Sequence, residues 1–238
     1  GELLDKIVRG EVRLHQVTFP EGYTLRQMAE LLESLNLASY DRFIATASDP
    51  AFVQEFSIPA STLEGYLFPD TYLLARNLPV ENILRSFVER FQQHFGPSQE
   101  EAAGKLGFNR HTVVILASVV ERETAVPEER PLIAGVFLNR LRKRIRLQSD
   151  PTVIYGLKDF DGNLTRVHLQ TDTPYNTYTR RGLPAGPICN PGAASIDAVL
   201  NPASTTYLYF VAKKDGTHHF STSLSEHNAA VLRHQKRR

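Results

Sequence analysis

Two glutamates close the most apolar run of the chain, in Val119-Val120-Glu121-Arg122-Glu123-Thr124. From His111 to Thr124 the run holds Val113, Val114, Ile115, Leu116, Ala117, Val119 and Val120, apolar on nearly every side, which predicts a buried helix. At its C-terminal end the negative pole of the helix opposes a carboxylate, and burial opposes it further. Both effects push a carboxyl pKa upward, as a general acid working near neutrality requires. The blander reading is that one glutamate is solvated while the other pairs with Arg122 or Arg130, since structural ion pairs also perturb pKa values. Standing two apart, Glu121 and Glu123 face different directions, so at most one enters a given cleft.

A second chemical signal lies in residues 147–192, dense in Pro, Gly, Thr, Tyr and Asn and read as loop-rich. A long irregular segment inside a compact domain is usually functional or disordered. Here Tyr155, Tyr175 and Tyr178 supply flat apolar faces, while Gln148, Asp150, Asn176 and Thr177 supply hydrogen-bonding edges. That mixture suits carbohydrate, whose rings have an apolar face and a polar rim; it equally suits stacked bases or a tyrosine-rich loop packed on the core.

Other chemistries find little support. Arg140, Arg142, Lys143, Arg144 and Arg146 form a basic run resembling a nucleic-acid patch, but no helix-turn-helix or RNA-binding motif accompanies it, and a solvated helix end is the preferred reading. His218-His219 and His227 lack a metal-ligand spacing, and adjacent strand histidines point to opposite faces, so no metal is expected. Cys189 is the only cysteine, which rules out an internal disulfide and a cysteine-based zinc site. Nucleophile-elbow and phosphate-loop motifs do not occur. A pyridoxal-phosphate lyase would need a cleft lysine, and only Lys143 and Lys158 lie near the candidate motifs, so no cofactor is expected.

The elements that must position these groups fall into two parts. The 238 residues are 42% hydrophobic and 22% charged, enough for a real core and unlike a disordered chain. Formal charge is 27 − 26 = +1, split between an acidic half (residues 1–119, 10 − 15 = −5) and a basic half (residues 120–238, 17 − 11 = +6). Leu14, Val17 and Phe19 read as a strand; Thr24 with Gln27 reads as a capping box before a helix; a second helix starts at Ser39; Gly65–Phe68 and Thr71–Leu74 read as strands. This strand-helix-helix-strand unit ends near residue 76. Longer helices follow, over 80–95, 111–124 and from Pro127, then a hairpin of Tyr207–Lys213 with His218–Thr222, and a terminal helix from Ser225. The class is α+β. The longest apolar stretch, Val113–Val120, falls far short of the roughly 20 residues that cross a bilayer.

Several segments in fixed order resemble the YceG-like family of endolytic murein transglycosylases: Glu64–Tyr72, Leu116–Thr124, Leu147–Gly156, Tyr175–Tyr178, Gly182-Leu183-Pro184, Asn190-Pro191-Gly192, Tyr207–Val211, His219-Phe220 and His227-Asn228. The resemblance spans about residues 15–230. It departs at Ala185, where the family often has proline, and at Cys189, where it has a small residue. It implies a LysM-like glycan-binding subdomain over 1–76 and a mainly helical catalytic domain with a β-hairpin over 77–238. The implied reaction is lytic cleavage of the MurNAc-β-1,4-GlcNAc bond of peptidoglycan with a 1,6-anhydro product end, terminating nascent strands. The resemblance further implies a bacterial inner-membrane location through one N-terminal helix, absent from this sequence, with the body on the periplasmic side. Glycan strands would be the substrate, cell-wall synthases the partners, and nucleic acid none. Glu123-Thr124 is similar to the Glu-Ser step that carries the acid of other lytic transglycosylases, which makes Glu123 the expected acid and Glu121 the reserve. Glu64, Gln148, Asp150, Tyr155, Tyr175, Asn176 and Tyr178 are the expected substrate contacts. A non-catalytic glycan-binding scaffold, or a two-carboxylate muramidase using Asp150 or Glu64, remains the alternative.

Overall fold

Thr24 starts the first helix as its spacing predicts. Its Oγ1 accepts the Gln27 N–H at 3.3 Å while Gln27 Oε1 accepts the Thr24 N–H at 3.0 Å, a reciprocal cap that satisfies two orphan donors. A computed structural model describes residues 14–235; the extreme Gly1-Glu2-Leu3 start and Lys236-Arg237-Arg238 end lie outside the described residues. In the N-terminal part, β1 (Leu14–Thr18) pairs antiparallel with β2 (Thr71–Ala75), Leu14 opposite Ala75 and Thr18 opposite Thr71. Between them run α1 (Leu25–Ser34), α2 (Tyr40–Ala47) and a short α3 (Pro50–Gln54) that the sequence reading lacked. Asp49 caps α3 by accepting the Ala51 N–H at 3.0 Å.

Gly65–Phe68 is not the strand its aromatic content suggests. Two of its backbone donors are taken by a side chain, Asn190 Oδ1 accepting the N–H of Gly65 at 2.9 Å and of Leu67 at 3.0 Å, while those of Tyr66 and Phe68 go to the carbonyls of Leu63 and Phe87. Gly65 has φ +88°, and a Cβ there would sit 2.5 Å from Pro187 Cβ, so both conformation and space require glycine. The segment is a buried turn pressed against the second half of the chain.

The remaining helices are α4 (Val80–His94), α5 (Pro97–Lys105), α6 (Arg110–Glu123), α7 (Arg130–Arg142), α8 (Asp150–Gly156), α9 (Arg166–Gln170) and α10 (Ala193–Leu200). The hairpin of β3 (Tyr209–Ala212) and β4 (His218–Ser221) and then α11 (Leu224–His234) complete the fold. Gly96-Pro97 ends α4 as expected, and Pro97 also begins α5, where a missing N–H costs nothing. Residues 147–192 are mostly irregular, as read, with two short helices, α8 and α9, inside them.

The apolar run of α6 lies at the centre: residues 113–120 are all buried. At about 1.5–3 kcal/mol for each fully buried aliphatic side chain, this helix fixes the site by hydrophobic burial. α10 and α7 pack along it, and Ser118 ties it to the incoming strap by accepting the Ile188 N–H at 3.0 Å. Phe19, Tyr72 and Phe87 meet edge-to-face and join the sheet to α4. One hydrophobic cluster runs from Phe19 through Leu116 to Phe137 and Val199, across the boundary expected at residue 76.

Candidate active site

Glu123 is the last residue of α6 and opens into a cavity of about 450 Å³ between that helix end, the 147–150 segment, the β-hairpin and α11. Burial, aided by the neighbouring Asp150 charge, raises its carboxyl pKa to about 7. Against this act the hydrogen bond from Ser149 Oγ, at 2.5 Å to Oε1, and the positive charge of Arg140. A carboxyl poised in this way gives a proton and takes it back near neutrality.

Glu121 is turned away. Its Oε2 accepts the Gly192 N–H at 3.0 Å and its Oε1 meets Arg130 Nη2 at 3.4 Å. The same guanidinium reaches Glu21 at 3.6 Å, and burial next to Glu121 raises the Glu21 pKa. Of the two glutamates only Glu123 lines the 450 Å³ cavity, while both border a second one of about 410 Å³ with Glu21 and Arg130, which corrects the expectation that the two would not share a cleft. The helix geometry that separates positions two apart keeps Glu121 out of the first.

The residues expected to contact substrate divide. Gln148, Asp150 and Tyr178 line the Glu123 cavity, with Tyr178 donating to Asp150 Oδ1 at 2.6 Å. Glu64, Tyr155, Tyr175 and Asn176 do not line it. Glu64 is buried beneath the start of α1, where both its oxygens accept the Leu25 N–H at 3.1 and 3.2 Å, in favourable contact with the positive helix end. It also accepts from Tyr155 Oη at 2.9 Å and Asn190 Nδ2 at 3.3 Å, and burial still raises its pKa to about 7. Tyr175 packs edge-to-face on Tyr155. Asn176 is fully buried and its Nδ2 donates to the carbonyls of Leu169 and Thr171, closing the end of α9.

Arg140 corrects the solvated reading of the basic run. It is buried, donates through Nε to Leu208 O at 2.6 Å and through Nη1 to Arg146 O and Leu147 O at 3.0 and 2.9 Å, and lies over the Tyr209 ring at 5.0 Å. The sequence carries a signal for this: Ile133, Phe137 and Arg140 stand at i, i+4 and i+7, on the inward stripe of α7. His218, weighed in the sequence only as a metal ligand, is a second residue of the site. It lines the cavity, and buried Glu129 accepts from its backbone N–H at 2.8 Å and pairs with its Nδ1 at 2.6 Å. Glu129 thus serves as the anchor of β4. No local sequence pattern signals that pair, because its members are 89 residues apart.

The fold and site thus define an α+β protein with one raised carboxyl at the mouth of a buried helix, a polar loop beside it and an aromatic hairpin opposite. The chain belongs to the YceG-like family, whose sequence profile matches residues 1–233. It is 35% identical over 230 residues to a Bacillus subtilis protein named endolytic murein transglycosylase, covering 90% of this chain and 64% of that one. A Streptococcus pneumoniae protein of the same name is 29% identical over 265 residues, covering 98% of this chain and 48% of its own. The chain therefore spans between about half and two thirds of the length of these curated relatives. The crystal structure of a YceG-like protein from Listeria monocytogenes superposes with a TM-score of 0.83 at 34% identity, covering 96% of this chain and 80% of that one.

Proposed function

We propose that this chain is the extracytoplasmic part of an endolytic lytic transglycosylase that cleaves the MurNAc-β-1,4-GlcNAc bond within peptidoglycan strands. The observation that carries the reading is Glu123: one carboxyl, raised to about 7, facing a cavity large enough for a sugar. Two relatives named endolytic murein transglycosylase support the substrate class. Protonated Glu123 donates to the glycosidic oxygen as the bond to C1 breaks. As carboxylate it then takes the proton of the muramic acid C6 hydroxyl, whose oxygen closes on C1 to give the 1,6-anhydro end. One carboxylate suffices because the nucleophile belongs to the substrate.

Gln148, Asp150 and Tyr178 contact the glycan beside the acid, and the N-terminal unit, read as LysM-like, holds the strand. An N-terminal membrane anchor and a cell-wall synthase partner complete the picture. A second reading, a two-carboxylate muramidase, is favoured by one observation: Asp150 lines the same cavity and its charge acts on Glu123. Mass spectrometry of strands digested by the purified chain tests both. Anhydro ends that vanish with Glu123→Gln support the lyase; reducing ends that vanish with either Glu123→Gln or Asp150→Asn support the muramidase.

A further inference from the structure

The Arg140 guanidinium is a buried positive charge without a carboxylate in contact. Its side chain is held on three sides: Nε on Leu208 O, Nη1 on the carbonyls of Arg146 and Leu147, and one face over Tyr209. Gln148 Oε1 also lies 3.4 Å from Nη1. These bonds use up Nε and Nη1 and leave Nη2, with two donors, without a hydrogen-bond partner among the described residues. The residue lines the Glu123 cavity, so this free edge borders open space. The two acids that share the cavity are engaged elsewhere, Glu123 with Ser149 and Asp150 with Tyr178, and neither forms an ion pair with Arg140. A buried cation of this kind is costly unless something negative completes it, and a free Nη2 with two N–H donors can bind a carboxylate oxygen.

We propose that Arg140 Nη2 reads a carboxylate of the substrate within the Glu123 cavity, making the site selective for ionised strands. The ligand class rests on the peptidoglycan reading above. Peptidoglycan offers this chemistry in two places: the lactyl group of muramic acid where the stem peptide has been removed, and the carboxylates of the stem peptide where it remains. The Tyr209 ring lies against the guanidinium, and Phe210 of the same hairpin lends the cavity wall an apolar face for the sugar or the peptide chain.

The experiment is an NMR titration of the labelled, wild-type chain with two pairs of probes that it cannot cleave. One pair is N-acetylmuramic acid and its methyl ester; the other is the free stem peptide and the same peptide with its carboxylates amidated. The expected result is that the ionised member of at least one pair binds about tenfold or more tightly than its neutral partner, shifting resonances of Arg140, Leu208 and Gln148. Which pair shows the difference identifies the source of the carboxylate. Arg140→Gln removes the preference, and Arg140→Lys, which keeps the charge without the guanidinium, restores part of it. Equal binding of ionised and neutral probes, or binding by neither pair, overturns the proposal on the wild-type chain alone, whether or not the variants fold. None of these probes is cleaved, so the result is independent of catalysis. Absence of anhydro ends in the digestion above sinks the lyase reading without touching this one.

Discussion

Ser149 Oγ donates a 2.5 Å hydrogen bond to Oε1 of Glu123, tying the end of the central helix to the segment that carries Gln148 and Asp150. The bond stabilises the carboxylate over the acid, opposing the burial that raises the Glu123 pKa to about 7. Ser149 itself is buried and its backbone N–H is held by Thr177 Oγ1 at 3.0 Å, so the donor is fixed before substrate arrives.

Ser149→Ala removes a group that favours the ionised form. The Glu123 pKa then rises, the alkaline limb of the kcat/KM profile moves to higher pH, and kcat falls by about 10-fold or more as the acid loses its orientation. A pH–rate profile on isolated glycan strands checks both effects. In the wild-type chain that limb lies near pH 7, because Glu123 must be protonated to act as donor.

Asp150→Asn acts in the opposite direction. The Asp150 charge raises the Glu123 pKa, so its removal lowers that value and moves the alkaline limb to lower pH. If the reaction is lytic, anhydro ends persist in the products of this variant at a reduced rate. Mass spectrometry of the digest reads the outcome directly.

Glu121→Gln and Glu123→Gln separate structure from chemistry. Glu123→Gln abolishes cleavage. Glu121→Gln breaks a buried pair with Arg130 but leaves Glu21 nearby, and it costs about 1–3 kcal/mol of stability, while folded protein keeps its activity. Thermal melts set beside turnover distinguish the two.

Stability should fall as pH rises from about 4.5 to about 7. Glu64 and Glu123 both have native pKa values near 7 against an ordinary 4.5. Between those values the native state holds protons that the unfolded chain has released, so the stabilisation present below pH 4.5 is lost on passing through 7. Each group changes stability by roughly 3 kcal/mol across this interval. Glu123→Gln therefore raises Tm at pH 8 even as it removes activity, and melts at pH 4 and pH 8 measure the difference.

Glu64→Ala is expected to act on stability and not on the cavity. It strands the Leu25 N–H, the Tyr155 hydroxyl and Asn190 Nδ2, at a cost of about 3 kcal/mol. Chemical denaturation shows the loss, while KM of the folded fraction stays near wild type.

Elements whose cause is local were legible in the chain itself. The capping box of Thr24 and Gln27, the apolar run of Val113–Val120 and the turn between the last two strands each carry their signal within a few residues, because helix caps, burial periodicity and tight turns are short-range physics. The carboxylates at the end of an apolar helix could be read the same way, but not that Glu121 and Glu123 both border a second cavity beside Arg130. What the chain alone left open was which glutamate faces the cavity, and the Ser149 hydroxyl, the Glu121–Arg130 pair and the hairpin opposite decide it. The tyrosines and amides of residues 147–192 carried the chemistry of sugar contact in their types, yet Glu64, Tyr155 and Asn176 went to internal bonds, since a buried backbone donor or helix end competes for the same polar groups. Gly65–Phe68 took Asn190 as partner across 125 residues instead of a neighbouring strand. Arg140 went inward because its position on the apolar stripe of α7 outweighed the charge run around it. Long-range hydrogen bonds and the desolvation of charge depend on which segments the core brings together, and those only the folded chain determines.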